Sequence, residues 1–583
     1  MKNKLNNLVT QTQESFTLSI VPVLFFELVF NVSLLLLIKP AFKAFIKLLL
    51  MLSGKTILLN EEIKNYIFSG VGFVSLLLIF FIAVIIIFYE FAVIFKLIDA
   101  SQQKETASLK QILKEAFSSL RLLFDPRFLI LGFYFILLIP ILSMGVNSSL
   151  IPQLIIPNFI TDEIYKYPGG NALIIILSLI AMMLFVRFLF SLPFMILDNY
   201  SIKEASKASK KVTKGKIYQY SAIIFLIIMA WSGLAMLPYY LSRQFTSLIS
   251  SVLALGFTAI YFFLTLSLSP FILNFIYVIY QKDKQTRKNK KTLFNFATIK
   301  KQSIHYSKAL KRDGIKYRWP LLFLGVLLLL NTLPLSHDGI DYVPSQEPLV
   351  IGHRGSLLGV ENTVEAVNAA SDMGAHYAEI DILLSKDHVP MVIHDNNLTR
   401  LTKKNLRIAN MTSEEIQNLT IKSHGYEGQI IPLERFVQEI DPNISLLIEL
   451  KSHGKESESI AEQMMLALEG VNPERYLYQT AEFDLLLEMK EKYPRLDLGY
   501  IIIGKVGWLS SDVIASIPAD FLVFEESLIS QRLIDNVHRN NKAVFAWTIN
   551  QKETVAEFYQ LGVDGIISDY PDMVKAIQAE FIK

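Results

Sequence analysis

Cysteine is absent from all 583 residues, which excludes disulfides, thiolate metal sites and cysteine nucleophiles. Charge is scarce as well. Only 19% of residues are Asp, Glu, Lys or Arg, against 52% hydrophobic, a balance too apolar for an ordinary soluble enzyme and a length that allows more than one domain. The net charge of +3 gives no footprint for nucleic acid, because the surplus Lys and Arg sits in particular loops of the first half. No cleavable leader is expected either. The apolar stretch 18–38 is long for a signal-peptide core, has no evident small-residue cleavage site, and reads as a retained first span.

What is present divides sharply near residue 335. Before it, apolar runs long enough to cross a bilayer alternate with basic loops; after it the composition is that of a soluble α/β domain. Apolar length predicts an all-α polytopic membrane domain over 1–340 with about seven spans, at 18–38, 68–97, 128–147, 171–197, 219–240, 248–280 and 319–335. Segment 41–52, with Lys43 and Lys47 on one face, is expected to be an interfacial or re-entrant helix. Pro270 leaves 248–280 as one tilted helix or a broken one. The loops after the second, fourth and sixth spans are rich in Lys and Arg, which places them in the cytoplasm. An odd span count with the N-terminus inside then puts everything after Leu335 outside, although the basic loop around Lys39 to Lys64 runs against that assignment. Glu27, Glu90 and Arg187 fall in or beside apolar spans, where an unpaired charge costs several kcal/mol. Paired structural charges are the plain reading of these three, and a polar groove for a headgroup or ion is the other.

The roughly 240 residues of 341–583 have the size of a (β/α)₈ barrel. Strands are expected at 349–353, 377–383, 445–451, 476–480, 498–503, 521–524, 543–549 and 565–568, with helical patterns such as 362–373 and 457–468 between them. A further apolar strand, 390–394, follows the second after a link too short for a parallel crossover, so it should return antiparallel and bring His394 over the barrel mouth. Residues 396–435, rich in Thr, Asn, Lys and Glu with no clear strand, read as an insertion or lid.

In a strand, residues i and i+2 share a face, so Glu379 and Asp381 point together, as do Glu449 and Lys451. Both pairs lie toward C-terminal strand ends, the face on which barrel enzymes do chemistry. Any one of these carboxylates is more often a surface ion pair. The set, together with His353, His394 and Arg354, describes a buried cluster that repels itself unless a hard cation sits among it, and without thiolates Mg²⁺ or Ca²⁺ fits best. Metal, cations and histidines together point to phosphodiester chemistry at a membrane surface.

The runs His353-Arg354-Gly355, Glu361-Asn362-Thr363, Glu379-x-Asp381, His394-Asp395, Glu449-x-Lys451, Trp547-Thr548-x-Asn550 and Gly565-Ile-Ile-Ser-Asp569 resemble the glycerophosphodiester phosphodiesterase family over 345–583. The membrane half resembles the multi-span N-terminal domain of some bacterial members. The resemblance implies an α/β TIM barrel, a divalent metal held by Glu379, Asp381 and Glu449, a phosphate gripped by Arg354 and Lys451, and His353 and His394 as the acid/base pair. Trp547 is either an apolar wall for the substrate or part of the barrel packing. Tyr478-Gln479-Thr480-Ala481 stands where the family usually has Ser-Phe, which bears on the shape of the pocket.

The expected activity is hydrolysis of glycerophosphodiesters to glycerol phosphate and an alcohol, by a barrel held at the outer face of a bacterial plasma membrane among membrane lipids. Lysophospholipase D activity, or hydrolysis of glycerophosphate polymers of the envelope, is the alternative within enzymes. From another class, the chain would be a lipid-handling or transport protein with the barrel as a binding domain. A multi-span domain exceeds what a tether requires, which favours a lipid-linked substrate.

Overall fold

The computed structural model describes residues 2–103, 109–125, 127, 170–243, 248–287, 347–453, 459–507 and 509–581. The chain divides into two compact units, residues 1–45 with 74–337, and residues 46–73 with 338–583. The second unit thus takes in a segment that the sequence alone assigned to the membrane half.

In chain order the first helices are α1 (Lys2–Ser33), α2 (Lys39–Leu52), α3 (Glu61–Phe68), α4 (Gly70–Gln103) and α5 (Leu109–Ser119). They are followed by α6 (Gly170–Leu189), α7 (Leu192–Leu197), α8 (Ile202–Thr213), α9 (Ile217–Arg243) and α10 (Leu248–Arg287). Among the described residues, five helical stretches are long and apolar enough to cross a bilayer: Asn7–Leu52, Gly70–Gln103, Ala172–Leu197, Ile217–Leu241 and Gly256–Thr286. They coincide with the first, second, fourth, fifth and sixth expected spans, while 128–147 and 319–335 lie outside the described residues. Segment 41–52 is not a separate helix. A π turn at Leu34–Ile38 carries α1 straight into α2, and that wider turn sits where the missing N–H of Pro40 would otherwise break the ladder. Pro270 likewise lies inside the unbroken helix α10.

Phe88, Phe188, Phe194 and Tyr280 are fully buried in the shared core of the first unit. Helices α5 and α8 both pack on α7, so the basic segments after the second and fourth spans meet at one end of this unit, as the positive-inside rule requires. Ser201 and Glu204 close a capping box at the start of α8, and Lys210 and Lys211 occupy its last turn, each the charge that the adjacent helix end favours.

Among the described residues, the strands all belong to the second unit. They are β1 (Leu58–Leu59), β2 (Leu349–Gly352), β3 (Tyr377–Leu384), β4 (Pro390–Val392), β5 (Thr420–Ser423), β6 (Tyr426–Gln429), β7 (Ser445–Leu450), β8 (Leu477–Thr480), β9 (Asp497–Ile502), β10 (Lys505–Val506), β11 (Phe521–Glu525), β12 (Ala543–Trp547) and β13 (Gly565–Ser568). Eight of them form a parallel sheet in the order β2-β13-β12-β11-β9-β8-β7-β3, closed by pairing of β2 with β3. This is the (β/α)₈ barrel expected from the sequence.

The period of two divides its strands cleanly. Ile351, Leu447, Ile501, Val523 and Ile567 fill the interior, while Val350, Ile448, Leu522 and Ile566 face the helices. Phe521 and Phe545 stack inside with ring centres 4.5 Å apart, worth about 0.5–1.5 kcal/mol beyond burial. Glycines make room for them, since a Cβ at Gly499 would stand 2.1 Å from the Phe521 ring. Strand β4 returns antiparallel on β3, Leu383 opposite Met391, as its short link demands.

The insertion 396–435 does contain strands. β5 and β6 pair as an antiparallel hairpin whose turn places His424 and Gly425 at φ 52° and 87°. Ile421 is its one fully buried strand residue, so no apolar alternation announces it.

Candidate active site

The parallel strands carry the singled-out residues to the C-terminal end of the barrel. His353 and Arg354 follow β2, Glu379 and Asp381 lie on β3, Glu449 lies near the end of β7 with Lys451 just after it, Trp547 ends β12, and β4 brings His394 back to the same rim. Carboxylate oxygens of Glu379, Asp381 and Glu449 all lie within 4.8 Å of one another. Asp381 and Glu449 are register partners across β3 and β7, which is why two strands suffice to build the cluster.

The cluster is electrostatically strained by its own charge. Burial, and then the neighbouring Asp381 and Glu449, push the Glu379 carboxyl well above its ordinary range, and burial pushes Glu449 up to about 7. Burial pushes Asp381 up too, but Lys451, His394 and Arg354 together more than reverse it and hold that carboxyl below the usual range. Buried carboxylates that would rather hold protons are sites for a cation, and an all-oxygen donor set fits a hard divalent ion.

Two cations border the triad. The Lys451 ammonium lies 2.6 Å from Asp381 and 3.4 Å from Glu449. Arg354 donates its backbone N–H to Glu379 at 2.7 Å and its guanidinium to Glu361 at 2.9 Å, with Nε 3.7 Å from Asp381. The chain turns sharply to achieve this: Arg354 and Gly355 have φ of 51° and 88°, and a Cβ on Gly355 would lie 2.6 Å from the Ala366 backbone, so glycine is required there. Asn362 clasps Asp381 reciprocally, donating to its carboxylate at 2.8 Å and accepting its backbone N–H at 2.9 Å.

Each histidine is oriented by an aspartate. His353 Nδ1 lies 2.7 Å from Asp569, whose other oxygen accepts from Asn550 at 2.7 Å. His394 Nδ1 lies 2.8 Å from Asp395, which also accepts from Arg400 at 2.9 Å. Arg400 in turn grips Glu361 through two nitrogens at 2.6 and 2.5 Å, so one buried network links His394 to Arg354. Burial, with Arg354 and Lys451 adding to it, pulls the His394 imidazole down to about 4.

Residues 9–313 match the family model described as the membrane domain of glycerophosphoryl diester phosphodiesterase. Residues 352–573 match the glycerophosphoryl diester phosphodiesterase family itself. The chain belongs to the glycerophosphodiester phosphodiesterase family. It is 32% identical over 236 residues to a glycerophosphodiester phosphodiesterase of Caldanaerobacter subterraneus subsp. tengcongensis, covering 38% of this chain and 95% of that one. YhdW of Bacillus subtilis (strain 168) is 31% identical over 235 residues, 39% of this chain and 96% of its own. Among solved structures, an Oleispira antarctica phosphodiesterase in complex with the product sn-glycerol-3-phosphate is 25% identical, covering 40% of this chain and 96% of that one with a TM-score of 0.37.

Within this phosphodiesterase barrel, every residue singled out from sequence comes to one rim. Trp547 packs at the edge of the interior cluster formed by Ile501, Phe521 and Phe545, and pairs in register with Glu525. The orienting residues Asp569, Asp395, Asn362 and Asn550 stood inside the motifs but carried no role from sequence alone. Arg400 gave no signal, since it lies in the insertion and reaches Glu361 only through the fold. Gln479, buried with its Oε1 lacking a hydrogen-bond partner, sits opposite Glu449, in the run where the phosphodiesterase departs from its family. His376 and His453 bond backbone groups of Val350 and Leu384.

Proposed function

We propose that this phosphodiesterase hydrolyses glycerophosphodiesters to glycerol phosphate and an alcohol, with His353 and His394 as the acid/base pair and a divalent ion, Mg²⁺ or Ca²⁺, held by Glu379, Asp381 and Glu449. The observation that carries this reading is the pair of histidines, each committed at Nδ1 to an aspartate, on the rim that holds the three-carboxylate cluster with its two cations. A bound divalent ion would polarise a phosphoryl oxygen and offset charge that develops on it. Arg354 and Lys451 neutralise the equatorial oxygens of the phosphate, positioned for that by the carboxylates they already flank. With Nδ1 donating to aspartate, proton exchange falls to Nε2 of each ring: one takes a proton from the nucleophile and the other gives one to the leaving alkoxide. Trp547 supplies an apolar wall beside the glycerol.

The membrane helices hold the enzyme in a bacterial plasma membrane, with the barrel on the outer side. The support is the distribution of Lys and Arg between alternate loops. The test is release of choline by the purified full-length chain, leaving glycerol phosphate from glycerophosphocholine and lysophosphatidate from lysophosphatidylcholine, with EDTA and with Mg²⁺ or Ca²⁺ restored. Metal-dependent release is expected; no release from either by folded protein would sink the proposal.

A further inference from the structure

The segment between the first two membrane-spanning helices is folded into the barrel unit. Residues 46–73 group with the barrel rather than with the helices on either side. Strand β1 pairs antiparallel with β10, Leu58 opposite Val506 and Leu59 opposite Lys505. Leu58 is fully buried, and Ile57 and Leu59 join the core that packs between barrel and helices. Ile63 packs against Gly504, and Leu50 closes on Gly507, where a Cβ would stand 3.3 Å from its methyl group.

Asn60 is the centre of the contact. Its Nδ2 donates to the carbonyls of Ala481 at 3.0 Å and Ile501 at 2.6 Å. Its Oδ1 accepts the N–H of Ile503 at 2.9 Å, and its own N–H donates to the Gly504 carbonyl at 3.2 Å. The backbone stands at φ 46° and ψ −118°, outside the left-handed helical region and in positive-φ space that glycine adopts most readily.

The place of these bonds gives them a function. Ala481 follows the fourth barrel strand and Ile501 lies in the last turnings of the fifth, both at the C-terminal end that carries His353, Glu449 and Trp547. Ala481 and Ile501 pack in the interior cluster together with Trp547, and Gln479, opposite Glu449, precedes Ala481 by two residues. A single side chain from outside the barrel sequence thus ties two neighbouring strand ends that wall the site.

We propose that residues 53–69 are a built-in part of the catalytic face, and that Asn60 is a positioning residue that sets the shape of the substrate rim beyond the fourth and fifth strands. The proposal rests on the barrel mouth being the phosphodiesterase site. It also requires the segment and the barrel to lie on one side of the bilayer.

The cysteine-free chain makes the test clean. In full-length protein reconstituted in lipid nanodiscs, the double variant Leu59→Cys with Lys505→Cys is expected to cross-link on mild oxidation, while each single variant does not. Asn60→Gly keeps the backbone conformation and removes the three side-chain bonds. It is expected to raise KM for glycerophosphocholine roughly tenfold with kcat within about twofold, the signature of lost uniform binding. Amide exchange at Ile503, which needs no turnover, is expected to accelerate in the same variant while the strand amides stay protected. Absent cross-linking overturns the docking. Unchanged KM, or unchanged exchange at Ile503, overturns the positioning role, as does a fall in kcat at constant KM. Cross-linking and faster exchange in a chain that hydrolyses nothing would sink the phosphodiesterase reading and uphold the docking.

Discussion

Changing Asp569 to Asn isolates the orientation of His353 from everything else in the site. Asn550 is fixed by accepting from the Asp569 backbone N–H at 3.0 Å and from Ser568 at 3.2 Å, so its amide nitrogen must face the Asp569 side chain. An Asn at 569 would therefore turn its carbonyl toward Asn550 and its NH₂ toward His353 Nδ1. Two donors would then oppose each other wherever Nδ1 carries a proton, which it must both in the neutral base with an open Nε2 and in the imidazolium acid. The lost charge-assisted hydrogen bond alone is worth about 1.5–3 kcal/mol, or roughly ten- to a hundredfold in rate. The inverted tautomer adds to this, toward the ~10⁴ known for a carboxylate-to-amide change beside a catalytic imidazole. Steady-state release of glycerol phosphate by Asp569→Asn is expected to show kcat down ~10²–10⁴-fold with KM little changed and the unfolding midpoint near wild type. A variant turning over within threefold of wild type would refute the role given to the His353–Asp569 pair.

Glu379→Gln removes a donor from the triad and should weaken restoration by Mg²⁺ or Ca²⁺ after EDTA by at least about tenfold, read as the metal concentration for half-maximal activity. Arg400→Met leaves Glu361 and Asp395 with one cationic partner fewer inside a buried network, a loss of roughly 3–5 kcal/mol that chemical denaturation of the barrel should show together with slower turnover. His538, donating to Asp564 at 2.7 Å, is held above its ordinary pKa by that bond. Its contribution to stability is therefore full below about pH 6.5 and fades as pH rises through the folded value. His538→Gln should lower the unfolding midpoint at pH 6 more than at pH 9, and an equal loss at both would contradict the assignment.

The barrel was legible because parallel strands buried on both faces read as short continuous apolar runs, and because the link from Leu384 to Pro390 is too short for anything but a hairpin. The triad was legible through the two-residue period that puts Glu379 beside Asp381. What stayed hidden depends on partners distant in sequence. The hairpin β5–β6 carries little apolar signal, Arg400 finds Glu361 only across the fold, and β1 is two residues long with its partner more than four hundred residues away. Pro40 reads as a helix breaker by its chemistry, and only the π turn before it shows why the helix continues.

The division of the chain also sets an order of events during synthesis. The barrel unit is assembled from two stretches, residues 46–73 and 338–583, with nearly the whole membrane half made between them. The early stretch leaves the ribosome long before the strands it will meet, and domains built from contiguous chain have no such wait. Its partner strand ends exist only after every intervening helix has been produced, so the finished barrel face is available only to a chain whose membrane half has already been laid down.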